Sequence, residues 1–280
     1  MKVIASLILA ACASVASAHE RGWSDPQQPF TIYGNTHYVG TAGISAILVT
    51  SPQGHFLLDG TTAEGAKVVA ANIKTLGFEL KDVKYILSSH SHEDHAGGIS
   101  ALQKWTGATV LTGTANAETM RTGISPRVDP QFGSLSNFAG SAKVRAVADG
   151  ETFKLGAQTV KAHSTPGHTA GGTSWSWQSC EAGVCKNVVF VDSLTAVSAD
   201  SYRFSDHPEV VAQLRGSFNT VEGLACDLAI AAHPEVNDLW GRQQRASKEG
   251  SAAYIDQRGC RTIAEAGRKR LETRLASEKR

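Results

Sequence analysis

One stretch constrains the fold of this chain more than any other: Ser88-Ser89-His90-Ser91-His92-Glu93-Asp94-His95-Ala96-Gly97-Gly98. It follows a short apolar run at residues 84–87 and places three imidazoles and two carboxylates within six residues. In extended backbone alternate side chains share a side, so His90 and His92 point the same way. A turn before the Gly pair then brings Asp94 and His95 to an adjacent point. Imidazole and carboxylate suit a divalent zinc, and a catalytic zinc takes three protein ligands and keeps one position open. The bland alternative, a solvated loop that happens to be rich in His, is hard to sustain when the chain holds ten His in 280 residues. The missing ligands must come from other strand ends, and the fold must gather those ends at one place.

Two segments qualify. Pro166-Gly167-His168-Thr169-Ala170-Gly171-Gly172 is a Gly-rich turn after a strand-like run, with His168 at its tip. Ile230-Ala231-Ala232-His233-Pro234 puts His233 at the end of an apolar strand, where Pro stops pairing. Loops at strand ends commonly display catalytic groups. His163 reads as a strand end rather than a ligand, and His37, His55 and His207 have no matching partners. Asp59, before Gly60, reads equally as a carboxylate supporting the metal loop or as an ordinary turn residue.

The periodicity around these segments predicts strands at residues 30–33, 37–39, 44–50 and 55–59, then a helix at 63–76 whose Ala66, Val69, Ala70, Ile73 and Leu76 share a face. The strand at 84–87 enters the His cluster. Helices near 99–105 and 115–121 flank a strand at 109–111. Residues 122–141, rich in Gly, Pro, Ser and Asn, show no period, and so long an irregular segment inside a domain is usually functional or disordered. Strands resume at 144–147, 152–155, 159–163, 173–177 and 188–192. A helix at 208–224, a strand at 228–231 and helices at 239–250 and 263–276 complete the chain. Each half reads as a sheet with helices on one face, and two such layers packed sheet to sheet make an αββα sandwich, of α/β class and a single domain.

Lys+Arg number 27 against 26 Asp+Glu, and this balance removes the usual electrostatic reason to expect a nucleic-acid partner. Lys2, the apolar run at 3–11 and Ala16-Ser17-Ala18 form the pattern of a secretory leader cleaved after Ala18, leaving residues 19–280 as the domain. The run is too short for a membrane span, which needs about 20 residues. Leu9-Ala10-Ala11-Cys12 also fits a lipoprotein cleavage box. Export agrees with Cys180, Cys185, Cys226 and Cys260 acting as staples. Four cysteines allow three pairings, among which a local Cys180–Cys185 bridge, leaving Cys226 with Cys260, is plausible.

The order His90-x-His92-x-Asp94-His95, then His168 in a Pro-Gly-His-Thr turn, then His233, resembles the metallo-β-lactamase superfamily. Tyr38-Val39-Gly40-Thr41, Leu57-Leu58-Asp59-Gly60 and Asp192-Ser193-Leu194-Thr195 resemble its subclass B3, most nearly the SMB-type enzymes, over essentially the whole mature chain. The resemblance implies the metallo-β-lactamase fold and two Zn(II) ions. One is held by His90, His92 and His168, the other by Asp94, His95 and His233. It implies a periplasmic hydrolase that opens penicillins, cephalosporins and carbapenems through a zinc-bound hydroxide, with no acyl-enzyme. Asp94 then doubles as the catalytic residue that orients the nucleophile, and Ser193, Thr195 and Gln131 contact substrate. The partners are small β-lactams, with neither nucleic acid nor membrane, and the chain is expected to be a monomer.

Two other readings stand beside this one. Related hydrolases of the fold that act on lactones or thioesters place a metal-bridging aspartate after the corresponding strand, and Asp192 is a candidate for that role. A non-catalytic zinc-binding module is the third reading, but it would be expected to close its coordination shell, whereas each proposed site has three protein ligands.

Overall fold

The computed structural model describes residues 22–279, so the expected leader at residues 1–18, with Cys12, lies outside the described residues. Strands β1 (Phe30–Tyr33), β2 (Thr36–Tyr38), β3 (Ile47–Val49) and β4 (His55–Leu58) form an antiparallel meander. Helix α1 (Ala66–Thr75) crosses to β5 (Val83–Leu87), parallel to β4. The short α2 (Glu93–Ala96) and α3 (Ile99–Thr106) lead to β6 (Thr109–Gly113), and α4 (Ala117–Thr122) with a long loop leads to β7 (Val144–Val147). These seven strands make one sheet, in chain order.

After an exposed turn at residues 148–150, β8 (Thr152–Leu155), β9 (Gln158–Ser164), β10 (Thr173–Glu181) and β11 (Val184–Val191) run antiparallel. Helix α5 (Pro208–Glu222) returns the chain to β12 (Leu228–Ala231), parallel to β11, and α6 (Leu239–Glu249) and α7 (Gly259–Glu278) finish it. The second sheet has the order β12-β11-β10-β9-β8.

Side-chain alternation sorts these strands into layers. Phe56, Leu58, Leu87 and Leu111 of the first sheet meet Trp175, Val188, Phe190 and Ile230 of the second in one core. On the outer face of the first sheet Leu57, Ile86 and Val110 pack against Val69 and Ile73 of α1 and Leu102 of α3. On the outer face of the second, Val189, Val191 and Ala229 meet Leu214 and Phe218 of α5 and Leu271 of α7. Strands β3, β4 and β12 are buried at every residue and read as near-continuous apolar runs. Each fully buried Leu or Phe contributes about 1.5–3 kcal/mol. The result is the expected αββα sandwich.

Most elements that depart from the sequence reading do so at their ends by a few residues, and two differ more. The β10–β11 hairpin runs farther than the predicted 173–177 and 188–192, to Glu181 and Val184, through mostly polar residues that bond the β1–β2 turn and hide the strand period. A two-residue turn, Ala182-Gly183, closes it, both with positive φ as a tight hairpin requires. The second is α2, a helical turn where a simple turn was expected. Both suggested disulfides are present, Cys180–Cys185 across the hairpin and Cys226–Cys260 between the start of β12 and α7. Loop closure makes the first worth about 2 kcal/mol and the second about 4.

Candidate metal centre

The chain leaves β5 at Leu87, bends at Ser89 and is extended at His92 (φ −94°, ψ 156°), and His90 and His92 reach the same donor group. The carbonyl of His92 then accepts N–H bonds from His95 (3.1 Å) and Ala96 (2.7 Å), which winds α2 and turns Asp94 and His95 inward. His168 comes from the turn between β9 and β10, and His233 from the end of β12. The first sheet thus supplies four of the six candidate ligands and the second sheet two.

Two groups of donor atoms result. In the first, one ring nitrogen each of His90, His92 and His168 lie within 4.8 Å of one another. In the second, Nε2 of His95 lies 3.1 Å from Nε2 of His233 and 3.0 Å from Oδ2 of Asp94, and His233 is 3.4 Å from the same oxygen. Asp94 and His95 also approach His90 to within 4.8 Å, so the groups adjoin. A tetrahedral zinc with bonds of about 2.0–2.1 Å separates its ligands by about 3.3 Å. Three donor atoms at that spacing match the set that one such cation would gather. Nε2 of His90 is buried with no hydrogen-bond partner among the protein groups, as suits a metal-binding nitrogen. The donor set therefore fits two zinc ions.

Four of the rings spend their rear nitrogen on a fixed partner, which turns the other nitrogen toward the donor groups. His90 donates from Nδ1 to Oδ1 of Asp192 (2.8 Å), and His168 donates from Nδ1 to the carbonyl of Thr195 (2.9 Å). His95 donates from Nδ1 to Oδ2 of Asp59 (3.2 Å). His92 alone is reversed: its Nε2 donates to both oxygens of Asp129 (3.1 Å each), leaving Nδ1 toward the metal side. Such outer partners fix tautomer and ring angle and raise ligand basicity.

Asp59 is held in the left-handed region (φ 56°), a conformation that costs a residue with a side chain of order 1–3 kcal/mol. There it also accepts the N–H (2.7 Å) and hydroxyl (2.6 Å) of Ser89. Asp192 stands behind His90, outside both ligand groups. Its second oxygen fits because residue 172 is glycine: a Cβ there would lie 2.4 Å from Oδ2 of Asp192.

Burial and the surrounding imidazoles hold His90 well below its ordinary pKa. Burial and His92 bring His168 down to about 3. Both rings are therefore neutral at pH 7 and ready to bind a metal. Burial also opposes charge on His95, but Asp94 and Asp59 outweigh it and hold its pKa up to about 10. Asp94, despite its burial, is held well below the usual carboxylate range by His95 and His233. Burial pushes Asp192 well above that range.

The remaining expected residues line the same place. Gln131, half-buried in the 122–141 loop, donates from its carboxamide to Nδ1 of His92 and Nε2 of His168, 3.3 Å each. Ser193 is buried after β11, its N–H donating to Asp192 (2.7 Å). The Thr195 hydroxyl lies 3.2 Å from Nδ1 of His168. His163 bonds Ser176 (2.7 Å), apart from the donor groups. Sequence reasoning missed Asp129, whose only local mark is an Asp before Pro130. It also missed Asn116, which braces the His168 turn through Thr169 (2.9 Å) and Gly171 (3.0 Å).

Comparison with known proteins places this geometry. The model of the metallo-beta-lactamase superfamily matches residues 39–182. The solved structure of the metallo-β-lactamase SMB-1 bound to 2-mercaptoethanesulfonate has a TM-score of 0.92 at 77% identity, covering 92% of this chain and 100% of that one. MEM-A1, a subclass B3 metallo-β-lactamase isolated from a soil metagenome library, gives 0.90 at 49% identity, covering 91% and 98%. The hydroxyacylglutathione hydrolase of Brucella anthropi is 31% identical over 129 residues, 46% of this chain, and the match spans 40% of that relative's length. With the donor groups at the strand ends and these likenesses along the described length, the chain belongs to the metallo-β-lactamase superfamily and, within it, to subclass B3.

Proposed function

We propose that this chain is an exported binuclear zinc hydrolase that opens the amide bond of β-lactam antibiotics, among them penicillins, cephalosporins and carbapenems. The observation that carries this reading is the pair of adjoining donor groups, each of three protein ligands and the second at tetrahedral spacing, in a chain 77% identical to SMB-1. His90, His92 and His168 hold the first zinc; Asp94, His95 and His233 hold the second. When bound, the two ions make water nucleophilic at neutral pH and polarise the lactam carbonyl.

The protein's own groups do the positioning. Asp94, anionic and 5% exposed, has an oxygen aimed between His95 and His233 and orients the attacking water. Asp192, Asp129 and Asp59 keep three of the rings from rotating. The hydroxyls of Ser193 and Thr195 meet the substrate carboxylate, Thr195 by turning its hydroxyl from His168 while its carbonyl stays on Nδ1. Gln131 and the exposed ring of Phe132 meet the group attached to the lactam ring. No nucleophilic serine is needed, so no acyl-enzyme forms.

The position of Asp192 favours this over a thioester or lactone hydrolase. A metal-bridging aspartate would face both donor groups, and Asp192 instead accepts from the rear nitrogen of His90. The leader pattern and the two disulfides support a periplasmic location, and the expected state is a monomer. No helix among the described residues is long and apolar enough to cross a membrane.

Nitrocefin turnover should vanish with a chelator and return with added zinc. Zinc-loaded protein that turned over no β-lactam would overturn the reading, and turnover of a glutathione thioester in its place would favour the alternative. His168→Ala should abolish hydrolysis with the circular dichroism spectrum unchanged; a fully active variant would remove His168 from the ligand set.

A further inference from the structure

Between residues 124 and 140 the loop over the first donor group is nearly all at the surface, with Ile124 60% and Val128 74% exposed. Asp129 and Pro130 are the buried exceptions, and Asp129 is 6% exposed. Its carboxylate has two duties. Both oxygens accept the Nε2–H of His92 at 3.1 Å, and Oδ1 also accepts the main-chain N–H of Gln131 at 2.8 Å. One carboxylate thus touches a candidate metal ligand on one side and turns the loop backbone on the other. The carboxamide nitrogen of Gln131 lies 3.3 Å from Nδ1 of the same ring, the nitrogen that faces the metal side, so the grip of this turn on His92 is through Asp129. Elsewhere the loop is tied by main-chain bonds, Ala199 N–H to Pro130 C=O (2.9 Å) and Phe138 N–H to Gly123 C=O (3.0 Å).

His92 is also the odd ligand. His90, His95 and His168 have Nδ1 occupied and present Nε2, whereas His92 has Nε2 occupied and presents Nδ1. An imidazole free to rotate would offer either nitrogen, and a neutral ring has one lone pair to give. The partner on the rear nitrogen decides which.

We propose that Asp129 is a positioning residue that selects Nδ1 of His92 as its metal-binding nitrogen and, through the same carboxylate, couples the order of the 124–140 loop to occupancy of the first metal site. This rests on the binuclear reading above. A metal on Nδ1 fixes the ring, and the fixed ring holds Asp129, which holds the turn at Gln131. Without the metal the ring can turn, and the loop loses its buried anchor. Linkage then requires the reverse: loosening Asp129 must weaken the metal.

The test measures zinc affinity of the first site by competition with a chromophoric chelator, together with amide hydrogen exchange over residues 125–138 with and without zinc. In the native chain zinc slows exchange across the loop. In Asp129→Ala the first-site affinity falls about 10–100-fold and the zinc-dependent slowing disappears. Asp129→Asn keeps an acceptor oxygen opposite Nε2 and recovers most of the affinity. Gln131→Ala keeps the main-chain N–H at that position and so keeps the zinc-dependent slowing. Native affinity and slowing in Asp129→Ala overturn the proposal. So does a loss in Asp129→Asn as large as in Ala, which would assign the effect to charge, or loss of slowing in Gln131→Ala, which would assign the tie to the amide. Should Asp129→Ala fail to fold, the Asn and Gln131 variants carry the test. A native chain that bound no zinc would fail the metal reading itself, before any variant was made.

Discussion

Asp59 shows how much of the site rests on residues that touch no metal. It accepts from Ser89 twice and from His95 once, at a backbone angle that costs energy to hold. Asp59→Ala leaves the rear nitrogen of His95 and the Ser89 N–H buried without an acceptor, at a cost of about 1–3 kcal/mol. It should weaken the second zinc by about 10–100-fold. A two-site zinc titration checks this, and unchanged affinity at the second site would remove Asp59 from its supporting role. In the sequence Asp59 stood equally as turn residue and support, because the bond that decides it spans 36 positions. That the six candidate ligands converge was legible because His and Asp at strand ends have few other uses in such numbers. Asp129 was not, since one Asp before Pro carries no periodic or compositional mark. The choice between Asp192 and Ser193 depended on the direction of one side chain, which spacing does not encode.

Elements were legible where burial imposes a period. The strands at 30–33, 144–147, 152–155 and 228–231 match the observed bounds, and the others differ at their ends. The β10–β11 hairpin differs at its exposed tip, whereas the strand expected at 44–50 is shortened to Ile47–Val49 although residues 44–49 are all buried, since burial sets no pairing limit. The segment after β11, which carries Ser193 and Thr195, is secured from a distance by the end of α7. Glu278 accepts from Arg274 Nε (2.6 Å) and from the N–H groups of Phe204 (3.1 Å) and Ser205 (2.7 Å). Its partial burial would raise its pKa, but these donors prevail and hold it at about 2, below its ordinary 4.5. The folded state binds this proton less readily than the unfolded state. The clamp is therefore fully stabilising above about pH 4.5 and is lost as pH falls through about 2. Glu278→Gln should be less stable than the native chain at pH 7, with the difference shrinking through that acid window. Denaturant midpoints across pH would show this, and a gap constant down to pH 2 would refute the clamp.

At the scale of the molecule, each proposed zinc joins the two sheets: His90 and His92 with His168, Asp94 and His95 with His233. An ion bound only when the sandwich is closed stabilises it by about 4 kcal/mol at a thousand times its dissociation constant. For a domain of this size that is on the order of 10 °C in melting temperature. Scanning calorimetry with and without a chelator measures it, and an unchanged midpoint would show that the ions do not bridge the sheets. The sandwich itself was legible from two blocks of strands each followed by helices, whereas the way its layers meet over the metals was not, because it depends on loops. The exposed turn at residues 148–150 joins the two sheets in the chain and holds none of the candidate ligands. A chain severed there would leave two assigned ligands per ion on one fragment and one on the other. Each half would then be silent alone, and antibiotic resistance would become a genetic signal that both had been made and had found each other.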